Sequence, residues 1–321
     1  MRSLLSRLAL VGAMAVLVCQ FGTAFAQSSD EVEKKIREEV SRRVSDAVSN
    51  RIGEQLVTGD VPATESPLAN SAWITTSYSS ITSDDSSLVE EAGAEFQTDL
   101  VNVTFGADHR FGESVFVGLS GAYAAADGKF ELKDFDFDTD LESDSYTVSP
   151  YAAYVFHPNF FVSGLFSYTY SDAQTDADFI GETDSDSQTF STELAMNAIG
   201  TIDSVILKGK AGWRFNYTEL LDTEAPGDDD VDSHALVLNG EAGYNFDWIV
   251  PYLGVQYEHV WPEDSFNGQE IETGDTDFVF LALGARGNVG EAMQIGASVR
   301  TELLNDETNQ IGGAAEFRIR F

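Results

Sequence analysis

The residues of this chain best suited to chemistry are two histidines with acidic neighbours. His234 follows the run GDDDVDS, and His259 stands next to Glu258. A histidine held by a carboxylate has the parts of a general base for activating water. The alternation around His259 argues against that use, because it places the ring on the apolar face of its segment. Histidines beside acids are also frequent in loops. The sequence holds no G-x-S-x-G, no H-E-x-x-H and no phosphate-cradling glycine loop. No catalytic residue and no cofactor are therefore assigned, and the chain is not expected to be an enzyme.

Oxygen-rich stretches are the second candidate. DFDFDTD and GDDDVD offer the carboxylates that divalent cations take, but neither has the spacing of a calcium loop. No metal ligand is assigned. Solvated surface is the plainer reading, with cations bridging these acids to lipid phosphates as an alternative.

The charge balance narrows the partners. The chain carries 18 basic and 54 acidic residues, a formal charge of −36, which excludes a nucleic-acid binder. The imbalance is local. After residue 57 there are 10 basic and 47 acidic residues, whereas 28–57 is nearly balanced.

The elements that position these groups fall into four parts. Residues 1–26 read as a secretory signal: Arg2 and Arg7, then the apolar LALVGAMAVLV, then AFA before Gln27. The only cysteine, Cys19, lies inside it, so a mature chain cut after Ala26 would carry no disulfide. Within 27–57, Val32, Ile36, Val40, Val44, Val48, Ile52 and Leu56 recur every fourth residue among charges. At ~3.6 residues per turn such a stripe drifts by about 40° per step, which suits a helix wrapped by its surroundings. Residues 58–68, with two prolines, read as a linker.

From residue 69 the period changes to two, and twelve alternating segments of roughly ten to sixteen residues follow. Their connections alternate in length. Short turns fall at Phe111-Gly112-Glu113, His157-Pro158-Asn159, Thr201-Ile202-Asp203, Asp247-Trp248 and Gly290-Glu291, and longer acidic segments such as ELKDFDFDTDLESD and LDTEAPGDDDVD lie between them. An even number of long strands with this alternation predicts an all-β fold: a twelve-stranded antiparallel transmembrane barrel over 69–321, entered from an α-helix. A soluble β-sandwich is the competing fold. Strand phase separates the two, since Met293, Ile295, Ala297 and Val299 alternate with Gln294, Gly296, Ser298 and Arg300. Such an apolar face belongs against lipid and the polar face in a lumen. Tyr151, Phe156, Phe160, Phe161, Phe246 and Trp248, near strand ends, are expected to form an interfacial girdle.

Signal, helix, a barrel of roughly 250 residues and a terminal Phe321 resemble the translocator domain of autotransporters. That resemblance implies an outer-membrane protein of a Gram-negative bacterium, with the helix inside the barrel. The ending AAEFRIRF, with Phe317, Ile319 and Phe321 on one face, resembles the signal read by the barrel-assembly machinery. Two departures stand out. Few residues separate Gln27 from the helix, so no passenger is expected; and Asn50 precedes Arg51 rather than a second asparagine, so no self-cleavage is expected.

Six bases sit on the polar phase near the short turns: Arg110, Lys208, Lys210, Arg286, Arg318 and Arg320. Arg214 lies farther along its strand. They are expected to form a basic collar at the periplasmic end of the lumen, drawing anions or the helix carboxylates Glu31, Glu33, Glu38, Glu39 and Glu54. The plainer reading is that they pair with inward acids such as Asp108, Glu241 and Glu316 and stiffen the wall. The sequence thus supports a plugged or narrow passage. A porin-like channel and an acidic surface that meets lipopolysaccharide, cations or a host are the rivals. An oligomerising periplasmic coiled coil is the other place for 27–57.

Overall fold

A computed structural model describes residues 36–52, 70–83, 94–112, 114–132, 137–177, 181–222, 231–266, 269–271, 276–290, 292–304 and 309–321. The expected signal and linker, and Glu31, Glu33 and Glu54, lie outside these residues. One helix, α1, covers 36–52.

The strands are β1 (Asn70–Ser83), β2 (Ala94–Phe111), β3 (Val115–Leu132), β4 (Phe137–His157), β5 (Phe160–Ala177), β6 (Gly181–Ile202) and β7 (Val205–Asp222). Then come β8 (Val231–Tyr244), β9 (Ile249–Phe266), β10 (Gln269–Ile271), β11 (Thr276–Val289), β12 (Met293–Leu304) and β13 (Asn309–Arg320). All thirteen belong to one sheet, and each barrel strand pairs antiparallel with its neighbours. β10 is three residues long and pairs only with the outer end of β9. The other twelve close on themselves, because β13 pairs with β1 over Ser71↔Arg320 to Thr82↔Asn309. Asn70 and Phe321 exchange backbone hydrogen bonds at that seam. Closure leaves no edge, which a strand ending on alternating Phe317, Ile319 and Phe321 requires.

The short turns fix the register. Gly112, Asp203, Asp247 and Gly290 take positive φ values of 62°, 53°, 69° and 69°, the left-handed geometry of a tight reversal. At the remaining short turn Asn159 instead donates its backbone N–H to His157 Nδ1 at 3.2 Å and its side chain to the Ile199 carbonyl at 2.7 Å.

At the other end the strands run farther than alternation suggests. ELKDFDFDTDLESD reads as a long connection, yet β3 continues to Leu132 and β4 starts at Phe137. β6 begins at Gly181 rather than near residue 186. Hydrophobicity ends where lipid ends, but backbone pairing continues into water because ladder hydrogen bonds do not depend on side-chain polarity.

Phase sorts the faces as lipid demands. On β2, Val101, Phe105 and Phe111 point outward, while Leu100, Asn102, Thr104 and Asp108 are buried inside. Tyrosines near the outer ends reach to acids on the next strand: Tyr78 donates to Asp99 at 2.7 Å, Tyr123 to Asp144 at 2.6 Å, Tyr170 to Asp186 at 2.8 Å and Tyr257 to Asp277 at 2.7 Å. Ring against lipid and hydroxyl toward water is the interfacial position of tyrosine. Phe156, Phe160, Phe246 and Trp248 are exposed at the turn end, as expected for a girdle. Tyr151 and Phe161 are not part of it. They point inward and are 4% and 2% exposed. Their phase, shared with Ser149 on β4 and Ser163 on β5, explains the difference.

Candidate functional site: the occupied lumen

Residues 40–52 of α1 meet inward-facing side chains from strands on every side, so this stretch fills the lumen. Each of its four-residue rows faces a different wall, the arrangement that a stripe drifting around a helix predicts.

The serine row faces β6 and β7. Ser41 Oγ lies 3.0 Å from Ser191 Oγ and donates to Asn216 at 3.1 Å; Ser45 donates to Glu193 at 2.6 Å and Ser49 to Glu193 at 3.2 Å. The apolar row, Val48 and Ile52, packs into a cluster of Trp73, Phe116, Tyr151, Ala153, Phe161 and Leu165 at the turn end. On another side Arg42 approaches Glu258 at 3.0 Å and lies over Phe278 and Phe280, and Arg300 donates to Asp46 at 2.6 Å. Toward the seam, Arg43 lies against Gly312 of β13. A Cβ there would meet the Tyr78 carbonyl of β1 at 2.6 Å and the Arg43 guanidinium at 2.8 Å, so glycine leaves room both for the seam and for Arg43. Arg51 donates from Nε and Nη2 to the two oxygens of Asp108, at 2.8 and 2.9 Å.

These contacts orient the segment. Ile52 and Arg51 meet residues beside the short turns, and Arg51 also bonds Ser71 at the start of β1. Ser41 and Arg42 meet residues nearer the outer ends of β7, β9 and β11. The chain thus runs down the lumen toward the turn end.

The sequence-assigned bases take inward positions and meet partners on the wall and the helix. Lys208 and Arg286 converge on Glu241, with Lys208 at 3.3 Å. Lys210 reaches Glu193 at 2.6 Å and Ser49 at 2.9 Å. Arg214 bridges Glu193 at 3.1 Å and Glu258 at 2.7 Å. Arg318 donates to Gln294 at 3.0 Å and is fully buried. Arg110 and Arg320 share the inward phase near the seam. The helix brings arginines to barrel acids, the reverse of the expected polarity. In the expected sense, Asp46 meets Arg300, which the collar assignment left out.

Glu193, Glu258 and the serine row are lumen partners that alternation and charge balance do not mark. The i, i+4, i+8 spacing of Ser41, Ser45 and Ser49 was the available signal. The same holds for a hydroxyl-lined wall in the outer lumen, where Ser145–Ser171, Thr147–Thr169, Ser149–Ser167 and Thr189–Thr218 pair at 2.7 to 2.9 Å. Hydroxyls that satisfy one another leave a polar wall without ionic grip.

His234 lies against the rings of Trp213 and Phe215. His259 contacts Asp277 at 2.7 Å on the outward face, while Glu258 points into the lumen. Among the described residues no group of three or more histidine, cysteine or acidic side chains is placed to hold a metal.

A closed barrel with a lipid-phased exterior and a helix through its lumen defines the class: an outer-membrane β-barrel of translocator type. The sequence profile of the autotransporter beta-domain matches residues 72–317, and the chain belongs to that family. Such domains are outer-membrane proteins of Gram-negative bacteria with a transport role. The translocator domain of NalP from Neisseria meningitidis shares the fold at 14% identity and a TM-score of 0.62, over 88% of this chain and 97% of that one. The transport unit of AIDA-I from Escherichia coli does so at 13% identity and 0.61, over 85% and 97%. An outer-membrane channel of Pseudomonas putida F1 is also similar, at 11% identity and 0.53, over 82% and 99%. Comparison with curated proteins gave no match.

Proposed function

We propose that the protein is a translocator-type barrel whose passage is held shut by its own segment 27–57. The grip of all four rows of residues 40–52 on the surrounding walls carries this reading. A signal cleaved after Ala26 would deliver the chain to the periplasm. The outward Phe317, Ile319 and Phe321 of the seam strand are the features the barrel-assembly machinery would read. Lipid and lipopolysaccharide would meet the outward face. The packing and ion pairing of the lumen residues support a transport role rather than a catalytic one. The test is single-channel conductance of the refolded mature protein in planar bilayers, with and without residues 27–57. Conductance that appears only after the deletion supports the plug. Equal conductance from both forms overturns it in favour of an open, porin-like channel.

A second reading has its own observation: the acidic strand extensions beyond the outer tyrosines carry paired backbone and face water. They would serve as a surface for cations, lipopolysaccharide or a host. Shortening the β3–β4 and β5–β6 hairpins should then abolish attachment and leave conductance unchanged.

A further inference from the structure

The geometry points to a guanidinium-binding socket in the barrel wall, made by Asp108, Ser71, Tyr151 and Phe116, which Arg51 occupies in cis and which accepts a free guanidinium group when that side chain is removed. Arg51 presents two N–H groups side by side to the two Asp108 oxygens, at 2.8 and 2.9 Å. This parallel fork matches a planar guanidinium and no ammonium ion. Phe116 places its ring 5.9 Å from the guanidinium carbon, within range for a cation over an aromatic face. Arg51 and Asp108 side chains are 1% and 0% exposed, so the pair is shielded from water.

The carboxylate of the socket is oriented by barrel residues, while Val48 and Ile52 pack beside Phe116 and Tyr151. Ser71 donates to Asp108 Oδ1 at 2.5 Å and Tyr151 to Oδ2 at 3.3 Å. The Tyr151 hydroxyl is itself fixed by the Trp73 indole N–H at 3.0 Å. These groups sit on β1, β2 and β4, whose pairing is set by barrel closure, with Ser71 directly opposite Asp108. A carboxylate oriented by two hydroxyls before its ligand arrives is preorganised, which is what favours a small free ligand. The extension to passage rests on the conduit reading: an arginine on any polypeptide drawn along this wall would meet the same fork.

The experiment removes Arg51 and supplies the group in solution. Arg51→Met, refolded as the full mature chain, should unfold at a temperature lower by about 5 °C or more, since it leaves a buried carboxylate without its cation. Methylguanidinium at millimolar concentration should restore at least half of that loss, and methylammonium about tenfold less effectively. Arg51→Met with Asp108→Asn should show no such rescue. Arg320 lies opposite Ser71 on the neighbouring strand, so the same titration is run with Arg320→Met added. Equal response to both cations, response to neither in both backgrounds, or rescue that survives Asp108→Asn overturns the socket. If Arg51→Met refolds poorly, refolding yield with each cation becomes the readout, and yield unaffected by methylguanidinium counts against it. None of these outcomes depends on conductance, so the socket and the plug fail separately.

Discussion

Glu193 receives Ser45 and Ser49 from the helix and Lys210 and Arg214 from β7, all within 3.3 Å. A buried ion pair of this kind adds little net stability, because both partners lose their water. Removing one member is different, for it strands the others. Glu193→Ala is expected to lower stability toward urea by about 3 to 5 kcal/mol, and Glu193→Gln, which keeps hydrogen-bonding atoms, by less. An unchanged urea midpoint for the alanine variant would mean that Lys210 and Arg214 find water. At this scale the sequence disclosed which way a side chain points but not whom it meets. The inward phase of Arg110, Lys208, Lys210, Arg286, Arg318 and Arg320 follows from alternation alone. Their partners lie on strands joined by closure, which no local pattern encodes. Tyr151 and Phe161 show the converse: nearness to a strand end suggested lipid, and strict phase placed them against Val48 and Ile52.

The helix is the element whose place was least legible. Its drifting stripe indicated surroundings on all sides, but a barrel and a bundle of other helices provide that equally. Distance separates them. With Ser41 Oγ and Ser191 Oγ 3.0 Å apart, Ser41→Cys with Ser191→Cys should close a disulfide within one chain on mild oxidation, seen as a reducible shift of the monomer band. Linked dimers in its place would favour the coiled coil. Strand existence and phase were readable, but the outer ends were not, because acidic residues signal loop while the ladder continues. That continuation has an energetic mark. Asp144, Asp172 and Asp186 stand opposite one another across β4, β5 and β6. Like charges in register destabilise a sheet, so Asp172→Asn should raise the unfolding midpoint, by about 0.2 to 1 kcal/mol, most clearly at low salt.

For the whole molecule, the bilayer is the solvent that makes the pattern intelligible. Leu194, 66% exposed on β6, would be misplaced on a protein in water and is well placed against acyl chains. Leu194→Arg should destabilise the protein folded in vesicles by about 2 to 4 kcal/mol, measured by urea titration. A cost near zero would show that this position does not lie at the centre of the membrane.

The unequal strand lengths have a consequence for how the protein sits among its neighbours. β4 and β6 have 21 and 22 residues, while β12 and β13 have 12 each. Short turns align their inner ends, so the difference, roughly ten residues, rises on the outer side by on the order of 30 Å along the strand. The lip is therefore a tall palisade on one flank and a low sill on the other, and the palisade bears the acidic rows. The molecule has a front and a back in the plane of the membrane. Two copies turned palisade to palisade would bring their acidic rows face to face, which like-charge repulsion disfavours.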